Sequence, residues 1–189
     1  MTIKPADNPP ICFPENLFSE HCETSPKKRW WVARTKTRQE KALAWSLKGL
    51  GIDYFLPLVS RPQKCKGRMR TSIVPLFDGY LFFKGTEQQR LVALKTSRIA
   101  QVIEVEAQQQ IDTELSSLVI ATEQQSTLTL CDFVKKGQRV EIVSGPFMGM
   151  TGIVKAKKNS KRVVLNIEAI RQGVLCEIDI DQTRPALTK

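Results

Sequence analysis

The sequence predicts an α+β protein in which an antiparallel sheet with helices is joined by a linker to a small β-barrel. Three observations carry this prediction. Strand-like and helical patterns alternate over residues 27–121, and a stretch rich in Gln, Ser and Thr indicates a linker at 122–134. Residues 135–186 hold several short strand-like runs separated by turn residues, and so short a sheet must curl on itself to bury a core. At 189 residues the chain is long enough for two small domains.

The composition is that of a soluble globular protein, with 41% hydrophobic and 25% charged residues. No apolar run approaches the length that spans a membrane. The first 26 residues are rich in proline and carry acidic residues without an apolar core, so they do not resemble a secretory signal. We expect residues 1–26 to be a disordered tail and the protein to be cytoplasmic, with no membrane partner.

The sequence contains no arrangement that is typical of an enzyme or a metal site. Its five cysteines are odd in number and widely scattered, which indicates free thiols, and Cys176 alternates with apolar residues as a core side chain would. Cys12, His21 and Cys22 form the one cluster that suggests a metal, but a structural zinc site needs a second pair of ligands. With one His and no glycine-rich phosphate loop, we predict no catalysis, no cofactor and no metal.

The first domain begins with a strand at WWVARTK, residues 30–36, where aromatic and β-branched residues lead and at least one tryptophan must face the core. A helix follows, because Thr37 and Glu40 fit a capping box and leucines recur at helical spacing. The run IDYFLPLV, residues 52–59, is then a second strand. Its proline indicates an edge or a bulge.

A basic segment, RPQKCKGRMR at residues 61–70, comes next. It has no acidic residue and a glycine at a turn position between apolar runs, which predicts a projecting hairpin or loop. Residues 27–96 hold sixteen basic and four acidic residues, a net charge of +12 in a chain that carries +10 overall. Such a block favours a phosphate-backbone partner, because Lys and Arg release the counterions condensed there. The alternative is a solvated basic loop. The candidate contacts are Lys64, Lys66, Arg68 and Arg70.

The remaining elements complete the predicted order. The first domain continues with a strand at 74–83, a helix at 86–95, a strand at 99–105 and a helix with Asp112 as its N-cap. The second domain has predicted strands at 139–143, 151–157, 162–170 and 174–180. The turns between them are SGPFMGM, KNSK and RQG.

The second domain resembles a known family. The stretch KKGQRVEIVSGPFMGMTGIVKAKKNSKRVVLNIEAI resembles the KOW motif in its NusG setting, with Gly145, Pro146, Phe147 and Gly152 at the matching positions. The upstream stretches WWVARTKTRQEKALAWSLKGLGIDYFLP and PLFDGYLFF are similar to the NusG N-terminal domain, the latter especially to the RfaH and UpxY paralogues. The resemblance spans residues 29–186. It implies a NusG N-terminal domain followed by a KOW β-barrel.

The resemblance also implies a transcription elongation regulator that binds RNA polymerase. In the family, the N-terminal domain places an apolar surface on the clamp helices of the large subunit and so suppresses pausing. Phe77 and Tyr80 in PLFDGYLFF are the candidates for that surface, and a core position for both is the alternative. Lys36, Arg38 and Arg98 match positions near the non-template DNA strand, where phosphate contacts would position the DNA.

The barrel is the recruiting domain of the family and binds Rho or the ribosomal protein NusE. Phe147 matches the contacting loop, and Met148 and Met150 add adaptable apolar surface beside it, with a purely structural turn as the alternative. The segment PLFDGYLFF and the N-terminal tail favour a specialised antiterminator over a housekeeping factor that couples polymerase to Rho or the ribosome. A ribosome-binding or RNA-binding KOW protein is the candidate from another class. Contact with the polymerase gate loop is not expected, because QQRLVAL replaces the polar stretch of RfaH-type proteins.

Overall fold

A computed structural model describes residues 8–19, 28–65, 68–124, 128–134, 138–157, 160–177 and 185–187. Within these residues the fold is α+β, with three helices and antiparallel sheets, as the sequence predicts. The chain divides into two compact units, residues 1–106 and 107–189. None of the helices in the described ranges is long and apolar enough to cross a membrane.

The first unit is built on a five-stranded antiparallel sheet with the strand order β1-β3-β6-β2-β7. Two helices and a separate two-stranded hairpin complete its described part. The elements are β1 (Cys12–Phe13), β2 (Arg29–Thr35), α1 (Glu40–Gly49), β3 (Asp53–Phe55), β4 (Leu58–Cys65), β5 (Arg68–Pro75), β6 (Tyr80–Gly85), α2 (Glu87–Leu94) and β7 (Ile99–Glu104). The hairpin consists of β4 and β5 and corresponds to the basic segment for which the sequence predicts a hairpin or loop.

The central strand β2 is buried on both faces of the sheet. Trp31 belongs to one core cluster with Leu43 and Leu47 of α1. On the opposite face Trp30 is 1% exposed, and the ring of Phe18 stacks on it with the ring centroids 5.7 Å apart. Both tryptophans are therefore core residues, because neighbouring positions of a strand face opposite sides and both sides are covered here.

Residues 8–19 are an ordered part of the first unit, although the sequence predicts a disordered tail over 1–26. β1 adds an edge strand to the sheet by pairing with β3, and Leu17 behind it is 4% exposed. The prolines of this segment indicate disorder, but a few apolar side chains suffice for order when a sheet edge and an aromatic face accept them. The other residues of the tail lie outside the described ranges.

α1 lacks the capping box that the sequence predicts. Its N-cap is Gln39, which makes no side-chain cap hydrogen bond, and Thr37 is exposed. The carboxylate of Glu40 instead accepts a hydrogen bond from the backbone N–H of Gly79, 2.7 Å away. The Glu40 carboxylate, which the sequence pattern assigns to the helix cap, is thus used in a tertiary hydrogen bond. The motif does form at α2, with Thr86 as its N-cap.

Turns interrupt two of the predicted strands. The run 52–59 breaks at Leu56 and Pro57, between β3 and β4. The run 74–83 breaks between β5 and β6, where Gly79 has a φ of +81°, a conformation that a side chain disfavours. Most residues at the two breaks are buried. The apolar pattern therefore continues through both breaks, and the sequence gives no sign that either strand ends there.

The second unit contains a helix and a six-stranded antiparallel sheet with the strand order β13-β9-β10-β11-β12-β8. Its elements are α3 (Gln108–Glu123), β8 (Leu128–Asp132), β9 (Gln138–Ile142), β10 (Thr151–Lys157), β11 (Ser160–Ile167), a 3-10 turn (Glu168–Ile170), β12 (Gln172–Glu177) and β13 (Pro185–Leu187). β9 to β12 correspond to the four strands that the sequence predicts for this domain. Within the described ranges β13 and β8 are the two edges of the sheet, so its closure into a barrel stays a prediction.

The division between the units falls earlier than the domain boundary that the sequence predicts. α3 begins at Gln108, whereas the sequence predicts a start after Asp112, and the helix clusters with the second unit. β8 lies within 122–134, where the sequence predicts a linker. The polar composition indicates a linker there, but β8 pairs with β12 through backbone hydrogen bonds, which do not depend on side-chain polarity.

Polar contacts hold α3 on the sheet of the second unit. The hydroxyl of Ser117 accepts a hydrogen bond from the backbone N–H of Thr151 at 3.0 Å. The carboxylate of Glu114 accepts one from the backbone N–H of Glu168, also at 3.0 Å, and from the side-chain amide of Gln110 at 2.8 Å. Burial raises the pKa of the Glu114 carboxyl. These bonds connect α3 to the start of β10 and to the 3-10 turn after β11.

Gly152, the second residue of β10, lies close against β11. A Cβ atom at this position would lie 2.3 Å from Cγ1 of Val163 and 2.9 Å from the backbone oxygen of Val164. Real Cβ atoms do not come so close to such atoms, so packing requires glycine here. Gly152, which the sequence pattern singles out, therefore has a structural reason to be glycine.

Replacing Gly152 by alanine is expected to lower the free energy of unfolding of the second unit by about 1–3 kcal/mol, because Val163 and the backbone of β11 must shift. Chemical denaturation followed by circular dichroism measures the change. The control is Gly49→Ala in α1, where a Cβ atom would meet nothing within 4 Å. The control should leave stability unchanged or raise it by up to about 1 kcal/mol. Equal effects of the two substitutions would contradict the packing argument.

Candidate functional site

Two of the predicted DNA-contact residues lie side by side in the first unit. The backbone N–H of Lys36, just after β2, donates to the backbone oxygen of Arg98, just before β7, at 2.8 Å. The guanidinium of Arg98 donates to the hydroxyl of Ser46 at 3.3 Å and to the side-chain oxygen of Gln39. The Lys36 side chain is exposed, and that of Arg98 is held against α1. The pair therefore presents two cations beside the start of this helix.

Arg38 faces a different feature, an open groove with a volume of about 830 Å³. The groove lies between the end of β2, the segment that leads into α1, the hairpin and the turn before β6. Its charged and apolar lining includes Arg34, Arg38, Arg61, Val74, Asp78 and Tyr80. The structure thus brings the predicted DNA contact Arg38 next to the predicted polymerase contact Tyr80. Arg34 and Arg61, which the sequence analysis did not propose, line the same groove.

Gly79 connects the walls of this groove. Its backbone oxygen accepts from the N–H of Thr35 at 2.8 Å, and its own N–H donates to Glu40 at 2.7 Å. The ion pair between Arg61 and Asp78 is long, at 3.9 Å, and both side chains are well exposed. Exposed pairs of this kind contribute about 0–1 kcal/mol. The groove is therefore held by the hydrogen bonds of the Gly79 backbone, and the guanidinium of Arg61 is only weakly paired.

Phe77 is not part of an exposed surface, so the prediction that it offers one is wrong. Its side chain is 1% exposed, and its ring packs edge to face against Phe82 with the centroids 5.9 Å apart. The turn at Gly79 sends Phe77 into the core and leaves Tyr80, three residues on, partly exposed in the groove. The strand alternation of the sequence does not extend through this turn. Tyr80 remains the aromatic candidate.

The hairpin contains the predicted basic segment, and Arg70 is the predicted contact whose side chain the structure describes. Arg70 on β5 is exposed, as are Met69 and Ile73, at 67% and 43%. The backbones of Lys64 and Arg68 lie in β4 and β5. The side chains of Lys64 and Arg68, and the whole of Lys66, lie outside the described residues.

The loop of the second unit exposes only one of the three predicted partner-binding residues. Phe147 is 8% exposed and Met150 is fully buried, so these two cannot form the surface that the sequence predicts. Met148 is 65% exposed. Gly145 and Gly149, with φ values of +83° and +86°, reverse the chain around it, and this reversal turns the neighbouring side chains inward. Val143, at 49% exposure, is a further apolar residue before this loop that the sequence analysis did not propose.

The described residues contain no cluster of three or more His, Cys, Asp or Glu side chains that could hold a metal ion. Cys12, one member of the cluster considered from the sequence, lies in β1. His21 and Cys22 lie outside the described ranges.

The burial of Phe77 predicts a large difference between two neighbouring aromatic substitutions. Phe77→Ala should lower the free energy of unfolding by about 3–5 kcal/mol, because it leaves a cavity against Phe82. Tyr80→Ala should cost clearly less, since the groove already exposes part of its ring to solvent. Urea unfolding of the full-length chain measures both values. A Phe77→Ala variant as stable as Tyr80→Ala would contradict the core position.

One comparison with known proteins gives a match, which covers the first unit from residue 28 onward and nearly all of α3, and which ends close to the predicted end of the first domain at residue 121. A family model, NusG, described as transcription termination factor nusG, matches residues 28–122, which is half of the chain. The matched residues include the groove, the hairpin and the Lys36–Arg98 pair. The ordered segment 8–19 precedes the match. No curated protein matches the chain significantly.

Proposed function

The chain belongs to the NusG family, and we propose that it regulates transcription elongation by binding RNA polymerase through the groove beside Tyr80. Membership of the family makes it a transcription elongation or termination factor. The observation that carries the proposal is the groove itself. It lies within the matched residues and combines a partly exposed tyrosine with three arginines at a rigid turn.

The groove has suitable chemistry for the tip of a helical hairpin such as the polymerase clamp helices. An α-helix with its side chains is about 10–12 Å wide, and one turn of it is comparable in size to a groove of this volume. Tyr80 and Val74 supply apolar contact, and tyrosine and arginine are the residues that most often dominate binding energy. A partner that carries both apolar and acidic side chains would satisfy the arginines as well.

We propose a separate nucleic-acid surface for the non-template DNA strand. Lys36 and Arg98 form one part of it, and the basic hairpin with Arg70, Lys64, Lys66 and Arg68 forms the other. Cations on exposed side chains contact phosphates without reading the base sequence, so this surface would hold and guide the strand. Arg38 is a contact of the groove in this proposal, because it lies beside Tyr80.

The C-terminal unit is proposed to be a KOW domain that recruits a further partner, either Rho or the ribosomal protein NusE. Met148, with Val143 near it, is the exposed apolar surface that supports this role. Phe147 and Met150 would act indirectly, by anchoring the loop in the core from both sides.

Tyr80→Ser should weaken retention of core RNA polymerase by the full-length protein by about tenfold or more, because it removes the aromatic contact at the centre of the groove. A pull-down with core polymerase in the absence of nucleic acid measures this. Met148→Ser is the matched control, since it removes an exposed apolar side chain from the other unit and should leave retention unchanged. A Tyr80→Ser protein that retains polymerase like the wild type would exclude the groove. Retention of ribosomes instead of polymerase would support a ribosome-binding protein.

We further propose that the protein is a specialised antiterminator. The support is the PLFDGYLFF segment, which contains the turn at Gly79, together with an ordered N-terminal segment outside the family match. Transcription in vitro through a Rho-dependent terminator should therefore give more read-through when the protein is added. Increased termination would overturn this proposal and favour the housekeeping role, while leaving polymerase binding intact.

A further inference from the structure

The segment of residues 8–19, here called the N-terminal strap, joins three parts of the first unit. Its first residue, Asn8, contacts α1 near the base of the hairpin. Its middle part runs along β3, where β1 pairs with that strand. Its last part contains the buried Leu17 and places the ring of Phe18 on the aromatic face of the sheet. The strap precedes the residues that match the family.

A lysine of α1 connects the strap to the hairpin. Nζ of Lys41 donates to Oδ1 of Asn8 at 2.7 Å and to the backbone oxygen of Ile73, on β5, at 2.5 Å. Burial lowers the pKa of Lys41, which fits an ammonium group that has exchanged water for these two acceptors. Its neighbours Leu43 and Ala44 are fully buried, so the helix holds the lysine in place.

The hairpin depends on such contacts because it is not part of the main sheet. In the described residues β4 and β5 pair only with each other. A two-stranded ribbon alone is marginally stable and twists easily. At its base, the N–H of Leu76 donates to the oxygen of Pro57 at 2.8 Å, and Arg61 donates to the oxygen of Leu76 at 3.4 Å. The bond from Lys41 to Ile73 is a contact with β5 further from this base.

The rest of the strap is fixed firmly enough to anchor this contact. The N–H of Leu56 donates to the backbone oxygen of Ile11 at 2.7 Å. The hydroxyl of Tyr54 donates to the backbone oxygen of Pro10 at 3.1 Å. Burial raises the pKa of this tyrosine well above its ordinary value. The ring of Phe18 also packs edge to face on Phe55 with the centroids 5.4 Å apart. These contacts fix the strap from Pro10 onward, which begins two residues after Asn8.

We propose that the strap positions the basic hairpin for nucleic acid, with Asn8 and Lys41 as the positioning residues. The bridge from Asn8 through Lys41 to Ile73 holds the hairpin in one direction before the nucleic acid arrives. Binding of nucleic acid then does not carry the free-energy cost of ordering a mobile hairpin. This inference rests on the proposed role of the hairpin in binding the non-template strand.

The test compares a positioning residue with a contact residue on the full-length protein, with fluorescein-labelled oligo-deoxythymidine as the probe. Asn8→Ala should weaken binding by about threefold to tenfold, because the hairpin is then no longer held in its binding orientation and binding must order it. The slope of log affinity against log salt should stay unchanged, because no phosphate contact is lost. Arg70→Ser should reduce that slope by about 0.7 for its lost contact with a single strand.

Two further variants separate positioning from folding. Asn8→Asp keeps an oxygen acceptor for Lys41 and should restore the wild-type affinity. Ser19→Ala, at the far end of the strap, removes only the hydrogen bond from that hydroxyl to the oxygen of Asn16 and should not change binding. Thermal unfolding of each variant shows that the first unit stays folded.

The outcomes distinguish this inference from the proposed function. If the wild-type protein binds the oligonucleotide and Asn8→Ala binds equally well, the positioning role is overturned while nucleic-acid binding stands. A reduced salt slope in Asn8→Ala would also overturn it, because that result marks a lost phosphate contact. If the wild-type protein does not bind at all, the nucleic-acid function fails and the role of the strap fails with it. Weaker binding with an unchanged slope, restored by Asn8→Asp, is the result expected from positioning.

Discussion

The arrangement of the first unit depends on the two backbone hydrogen bonds of Gly79. One bond joins it to Thr35 at the end of the central strand, and the other joins it to Glu40 at the start of α1. Glycine adopts the φ of +81° at little cost, so the chain can reverse here without strain. Because three elements meet at this residue, the groove beside it has a fixed width, and Tyr80 enters the groove while Phe77 enters the core.

The same junction explains which parts of the fold the sequence predicts well and which it does not. The order of strands and helices follows from periodicity, and β10 agrees with its predicted limits of 151–157. The capping box at Thr37 and Glu40 fails because a partner 39 residues away takes the carboxylate. No local pattern contains that partner. The prediction that Phe77 is exposed fails for a related reason. Strand alternation assigns a side chain to one face of the sheet only as long as the strand continues, and a turn follows Phe77 here.

The candidate site was likewise predictable in its charge but not in its grouping. The concentration of cations over 27–96 is visible in the sequence, and the structure presents exposed cations both in the groove and on the hairpin. The grouping of these cations could not be predicted, because Arg38 lines the groove while its near neighbour Lys36 bonds through its backbone to Arg98, and Arg38 has a left-handed φ of +58° that no sequence pattern indicates. The strap was missed altogether, because its order comes from a sheet edge and an aromatic face provided by distant residues.

The loop of the second unit has a consequence for the kind of partner that it can hold. Its two glycines with positive φ turn Phe147 and Met150 inward, and the apolar surface that remains consists mainly of Met148 and Val143. Two side chains cover only part of the roughly 800 Å² that each partner contributes to a stable interface, so a stable contact here also needs residues around the loop. The flexible thioether of Met148 can adapt to more than one surface. In the proposed function, the groove of the first unit binds polymerase, and the loop of the second contributes an adaptable apolar contact to a recruited factor.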